Sequence, residues 1–218
     1  MSCKLPSDPD IQIERRSETT DLEVLADMVL LGLDLKRDQV SAVLNDARLV
    51  VVADDESLLR ILVLRTLARE RDPKSILTLD GNMQGCFDNL PDKESGQLPF
   101  IMCSDGHQAR LATQTVCERQ IQNAIMIYDQ KMGGPTGLEV FKEFSGSLPA
   151  SSIRALHSGT VPPDAYEHFE AGALDAIIEK PSLPNEIRTE VARAYLMRIL
   201  EGSTPSLSRQ VLLSLIRG

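Results

Sequence analysis

The sequence predicts an α/β fold, a doubly wound five-stranded parallel sheet with extra N-terminal and C-terminal helices. Three observations predict it. Short apolar runs, many of them β-branched, recur along the chain as "RLVVVA", "PFIMC", "NAIMIY", "SIRAL" and "LDAII". Each is followed by a segment with helical periodicity, and strand–helix repeated five times favours a parallel sheet covered on both faces. The runs also end on polar or charged residues, which would line the rim beyond the carboxyl ends of the strands, where open α/β sheets bind their ligands.

In chain order, residues 1–16 are polar with two prolines and read as a mobile arm. Thr20 and Glu23 stand at capping-box spacing, and Leu22, Leu25, Ala26, Val29 and Leu33 then recur on one helical face. A short helix is expected from about Lys36 to Asp46. "RLVVVADDE" predicts a central strand. "SLLRILVLRTLARE" predicts a helix, apolar over so much of its circumference that burial on most sides is expected. Residues 71–97 break the pattern with Pro, Gly, Asp and Asn and read as an insertion, with room for a short strand at Ile76–Leu79. "PFIMCSDG" predicts a strand and turn, residues 107–119 a helix, and "NAIMIYD" the next strand. "LEVFKEF" follows as a helix with Leu138, Phe141 and Phe144 on one face. The strand "SIRALHSG", the helix "PDAYEHFEAG", the strand "LDAIIEKP" and the helix "NEIRTEVARAYLMRILEG" complete the pattern, and residues 204–217 can form one more helix.

Composition narrows the function. With 42% hydrophobic and 25% charged residues, the chain reads as an ordinary soluble globular protein. Its net charge of −9 disfavours nucleic-acid binding by the whole chain. Cys3, Cys86, Cys103 and Cys117 include no C-x-x-C pair, so free thiols in a reducing cytoplasm are expected. No apolar run is long enough to span a bilayer and no signal-peptide pattern opens the sequence, so neither membrane association nor export is expected.

The candidate chemistry lies at the strand ends. The first strand ends in Asp54 and Asp55, the third in Asp129, the fourth in Ser158 and the fifth in Lys180. Several carboxylates in one hollow repel one another and favour a divalent cation, and oxygen-only ligation suits Mg²⁺. A metal-bound carboxylate beside a lysine suits phosphoryl transfer, with a carboxylate as nucleophile. Taken singly, each residue has a plainer reading. Asp at a strand end commonly starts a turn, and Lys180 alone would be a solvated surface residue. His157 adjoins Ser158 but should point to the opposite face, because side chains alternate along a strand. His107 and His168 fall in helical segments without a metal-ligand partner at useful spacing.

At these residues the sequence resembles a two-component response-regulator receiver domain, a flavodoxin-like fold. The resemblance rests on "VVADDE", "YDQKM" with Gly137 eight residues after Asp129, "LHSG", "EAGALDA" and "EKP", in order over roughly residues 48–201. It implies that Asp129 accepts the phosphoryl group. It implies that Asp55 and Asp129 bind Mg²⁺ directly, with the backbone carbonyl of Lys131, and that Asp54 acts through a metal-bound water. Ser158 would then hydrogen-bond the phosphoryl oxygen and Lys180 pair with it, with a cis Lys180–Pro181 bond. Three departures stand out. Gly133 replaces the usual proline, which should loosen the loop. Ile177 replaces the usual aromatic. The Gly172–Lys180 spacing is one residue longer than usual, which suggests a bulge or a shifted helix end.

The expected organisation is an N-terminal arm and helical extension (1–47), a receiver domain (48–201) carrying the insertion 71–97, and a C-terminal helical tail (202–218). Only about 38 residues follow Lys180, too few for a final helix plus a typical DNA-binding domain, so a stand-alone receiver is expected. The resemblance implies a histidine kinase or phosphotransfer protein as donor, a downstream protein partner, and self-catalysed phosphoryl transfer and dephosphorylation rather than turnover of a separate substrate. A homodimer stays open. Two other readings stand beside it: a receiver-like scaffold that does not signal by phosphate, and an aspartyl-nucleophile phosphohydrolase. The second is disfavoured because Lys131 stands two residues after Asp129, where such enzymes carry an acid.

Overall fold

The computed structural model describes residues 37–69, 71–92 and 95–203. The expected arm and helix before Arg37 and the expected helix over 204–217 lie outside the described residues. The chain runs α1 (Arg37–Asn45), β1 (Leu49–Ala53), α2 (Ser57–Leu67), β2 (Ile76–Asp80), α3 (Met83–Asp88), β3 (Leu98–Cys103), α4 (Gly106–Glu118), β4 (Ala124–Tyr128), α5 (Gly137–Phe144), β5 (Ile153–Ser158), α6 (Asp164–Glu170), β6 (Ala176–Glu179) and α7 (Pro184–Ser203).

The sheet has six strands in the order β2-β3-β1-β4-β5-β6, and every neighbouring pair is parallel. The extra strand comes from the insertion. Ile76 and Leu77 pair with Leu98 and Pro99, which makes β2 an edge strand. Its mix of half-buried and exposed positions is what an edge presents, and it explains why the segment lacks the continuous apolar run of an inner strand. The inner strands β1, β3 and β4 are buried at every position.

Alternate side chains feed two cores. On one face Val50, Val52, Ile125 and Ile127 pack with Val40 and Val43 of α1, Val63 and Leu67 of α2, and Ile187 and Val191 of α7. On the other, Val51, Met126 and Tyr128 pack with Phe87 of α3, Ala109 and Val116 of α4, and Leu138 and Phe141 of α5. The first face is pinned by Arg188, which is buried in α7. Its guanidinium donates to the Thr66 carbonyl of α2 at 3.0 Å and to Ser41 Oγ of α1 at 2.7 Å.

Two expectations need correction. The helix of "SLLRILVLRTLARE" is not buried on most sides. Leu58, Ile61 and Leu62 of α2 are 76%, 41% and 36% exposed, because α2 turns only its Val63, Thr66 and Leu67 side to the sheet and nothing among the described residues covers the other. The loop after Met132 is tied down rather than loosened. The Gly106 N–H donates to the Gly133 carbonyl at 2.7 Å, and the Leu138 N–H to Gln130 Oε1 at 3.2 Å. A complete capping box, Thr136 with Glu139, then opens α5. Gly106 is required here, since a Cβ on it would lie 1.8 Å from the Pro135 carbonyl oxygen. The residue added between Gly172 and Lys180 is taken up at the end of α6. There the His168 carbonyl accepts from both Ala173 N–H and Leu174 N–H, and Gly172 adopts a φ of +78°.

Candidate functional site

From β1 the chain moves to β3 and β2 on one side of the sheet, and from β4 to β5 and β6 on the other. The crevice between β1 and β4 is therefore the topological switch point, the place where such sheets bind ligands. Asp54 follows the last residue of β1 and Asp129 the last residue of β4. The register Ala53↔Tyr128 sets them side by side, and the Asp129 N–H donates to the Ala53 carbonyl at 2.8 Å. Gly137 is fixed by the same turn. Its N–H donates to the Asp129 carbonyl at 3.1 Å, and a Cβ on it would lie 2.5 Å from that oxygen.

Asp54, Asp55 and Asp129 each offer a carboxylate oxygen within 4.8 Å of the other two. Lys180 enters from the end of β6. Its Nζ lies 2.7 Å from Asp54 Oδ2 and 3.2 Å from Asp129 Oδ1. Burial works against the ammonium charge, but the bonds to Asp54 and Asp129 outweigh it and hold the lysine pKa above its ordinary value. Three carboxylates thus face one ammonium. That excess of negative charge, on oxygen donors only, fits a hard divalent cation such as Mg²⁺. Asp54 and Asp129 are buried and Asp55 is exposed.

The oxygens are not equally committed. Asp54 Oδ1 accepts the Glu56 N–H at 2.9 Å while Oδ2 accepts Lys180, and Asp129 Oδ2 accepts the Lys131 N–H at 3.2 Å. The side chain of Asp55 makes no hydrogen bond or ion pair within the described residues. A metal titration is therefore expected to show Mg²⁺ affinity falling at least tenfold in Asp55→Ala and less in Asp54→Ala. Equal affinities in both variants and the wild type would mean the acids do not form a cation pocket.

Ser158 ends β5 and is buried, but no bond joins it to the acids. Its hydroxyl donates to the Thr160 carbonyl at 3.1 Å and accepts the Thr160 N–H at 3.2 Å. Its carbonyl accepts the Lys180 N–H at 2.9 Å, so it helps to hold the lysine in place. The Lys180–Pro181 peptide is cis. Lys131 turns its side chain to solvent. Ile177 stands half-buried against the α3–α5 core. His107 is exposed, and His168 lies 3.8 Å from Asp164.

His157 points to the other face of β5, where Nε2 lies 2.8 Å from Ser182 Oγ. Burial, then the Lys180 charge, lowers its pKa to about 4, against a smaller opposing pull from Asp129. In the unfolded chain the ring takes up a proton near pH 6.5, so between that pH and about 4 the unfolded state binds more protons than the folded one. The stability from keeping the ring neutral is present in full above pH 6.5 and is lost as pH falls toward 4. Urea unfolding is expected to show an acid loss of about 3 kcal/mol in the wild type that is much smaller in His157→Gln. Parallel pH profiles for the two proteins would rule this out.

Sequence reasoning passed over Arg60, whose guanidinium donates to the Asp54 carbonyl, and Gln130, which staples the loop after Asp129 to α5. Arg60 stands six residues after Asp54, within the first turns of a helix that begins beside the rim, and that spacing was the available signal.

Neither a family model nor a curated protein matches this sequence. Several solved structures are similar to it. A DNA-binding response regulator of the LuxR family from Staphylococcus aureus shares 16% identity at a TM-score of 0.46, covering 68% of this chain and 98% of that one. The signal receiver domain of a putative Luxo repressor protein from Vibrio parahaemolyticus shares 16% at 0.49, covering 72% and 97%. A CheY-like response regulator receiver domain protein from Methanospirillum hungatei JF-1 shares 13% at 0.48, covering 72% and 100%. Over most of its length, then, this chain is similar to solved response-regulator receiver domains.

Proposed function

We propose that this chain is a phosphoacceptor receiver of a two-component or phosphorelay system, phosphorylated on Asp129. The observation that supports it most is Lys180 Nζ bridging Asp54 and Asp129 at the switch point of the sheet, with the Asp55 carboxylate beside them. An Asp129 oxygen forms a bond to phosphorus while the P–N bond of a phosphohistidine donor breaks. The electron pair of that bond stays on the donor imidazole nitrogen, which takes its proton from water. Mg²⁺, held by Asp55 and Asp129 with the Lys131 carbonyl and with Asp54 nearby, would supply charge neutralisation for the transferring group. Lys180 gives up its bond to Asp129 and pairs with the new phosphoryl oxygens. Ser158 turns its hydroxyl from the Thr160 carbonyl to the same group.

The donor is a histidine kinase or phosphotransfer protein, and the output is a contact with another protein. No helix of the described residues is long and apolar enough to cross a membrane, and a place in the cytoplasm is part of the same reading. Incubation with acetyl phosphate is expected to add one phosphoryl group by intact-mass measurement, with Mg²⁺ and not in EDTA. Failure to label with acetyl phosphate and with a panel of phosphorylated kinases would favour the scaffold that does not signal by phosphate.

A further inference from the structure

The exposed face of α2 carries more apolar surface than a solvated helix needs. Leu58, Ile61 and Leu62 recur at the spacing of one helical face, and Leu183, just before α7, is 67% exposed. Basic residues flank the stripe. Arg65 is exposed, and the guanidinium of Arg69 donates to Asn185 Oδ1 at the start of α7 at 3.3 Å. We propose that residues 20–33 of this same chain, which lie outside the described residues, dock on this face of α2 as an apolar-faced segment with an acidic flank.

Reach, pattern and charge support this occupant. The described chain begins at Arg37, four residues before Ser41. Ser41 Oγ and the Thr66 carbonyl accept from the two ends of the single Arg188 guanidinium, so Ser41 of α1 and the last turn of α2 both stand within reach of one side chain. Leu62 and Leu58 stand one and two helical turns back from Thr66, roughly 6 and 12 Å along the helix. The link from Leu33 to Arg37 spans up to roughly 14 Å when extended, enough to return the segment onto α2. Leu22, Leu25, Ala26, Val29 and Leu33 recur at the spacing of one helical face, and Asp21 and Glu23, at the edges of that spacing, carry the charge opposite to Arg65 and Arg69.

The C-terminal segment fits less well. It starts at the far end of α7, a 20-residue helix about 30 Å long that begins near this patch. It also carries Arg209 and Arg217 and no acid, so the arginines of α2 would repel it. A docked N-terminal segment covers the flank of α2 beside the carboxylate rim with the chain's own residues.

Hydrogen exchange on the full-length protein tests this, with the amides of β4 reporting that the fold is intact. The amides of residues 22–33 are expected to exchange at least tenfold more slowly than coil in the wild type. They should reach the coil rate in Leu58→Asp/Ile61→Asp. Arg65→Glu/Arg69→Glu, a surface change that spares the core, should give the same loss, and adding Asp21→Lys should restore at least part of the protection. Coil-rate exchange in the wild type, or protection that no α2 variant alters, overturns the proposal. So does a loss of protection at residues 207–216 instead. A dimer that becomes a monomer in the α2 variants, with exchange at 22–33 unchanged, assigns the face to a second copy and overturns it too.

Discussion

Asp129→Asn is expected to abolish phosphoryl labelling while leaving the fold intact. The amide is nearly the same size as the carboxylate and keeps an oxygen that can accept the Lys131 N–H bond of 3.2 Å. It has no anionic oxygen to attack phosphorus. It also removes one of three carboxylates crowded within 4.8 Å, so thermal stability should stay level or rise. Intact-mass measurement after acetyl phosphate and Mg²⁺ reads the first effect and a thermal melt the second. Labelling equal to that of the wild type would move the acceptor to another residue. Loss of labelling together with collapse of the melt would show only that the residue is structural.

Asp175→Ala is expected to destabilise the protein by about 3–5 kcal/mol, the usual cost of leaving a buried charge without its partner. Asp175 precedes β6 and is buried. Its Oδ2 accepts the Arg154 backbone N–H at 2.9 Å and Arg154 Nε at 3.0 Å. Its Oδ1 lies 2.6 Å from the Arg198 guanidinium, which ties α7 to the start of β5 and β6. Alanine would strand the Arg154 charge in the interior, where its side chain is only 6% exposed. A whole domain is stable by only about 5–15 kcal/mol, so this one change would consume a large share of it. Urea unfolding of Asp175→Ala and Asp175→Asn should show the full loss in the first and a smaller one in the second, which keeps an acceptor. A change below about 1 kcal/mol in Asp175→Ala would mean that the cluster relaxes into water.

The strand ends were legible because apolar runs mark inner strands and each run stops at a polar residue. Asp54, Asp129, Ser158 and Lys180 were placed at their strand ends on that basis, and the helices between the runs followed. The edge strand was only glimpsed. Ile76 to Asp80 holds one partner strand and few buried contacts, so its residues carry a weak pattern. Periodicity alone misjudged α2, because it reports how apolar a helix is and not what stands beside it. The pairing of Arg154 with Asp175 left no trace in the sequence either, since the two are 21 residues apart and each reads as an ordinary polar position. At the rim, sequence named the acids but could not show that Lys180 already spans Asp54 and Asp129, or that the Ser158 hydroxyl is turned toward Thr160.

Arg188 bears on how the molecule can be shortened. A fragment cut at residue 48, where the strand–helix pattern starts, would lack α1. It would strip Ser41 from the guanidinium and open the cluster that Val40, Val43 and Leu44 complete against Ile187 and Val191. The smallest autonomous unit should therefore start ahead of Arg37, and trimming trials that step inward from there should meet an abrupt loss of soluble yield once Val40 is removed.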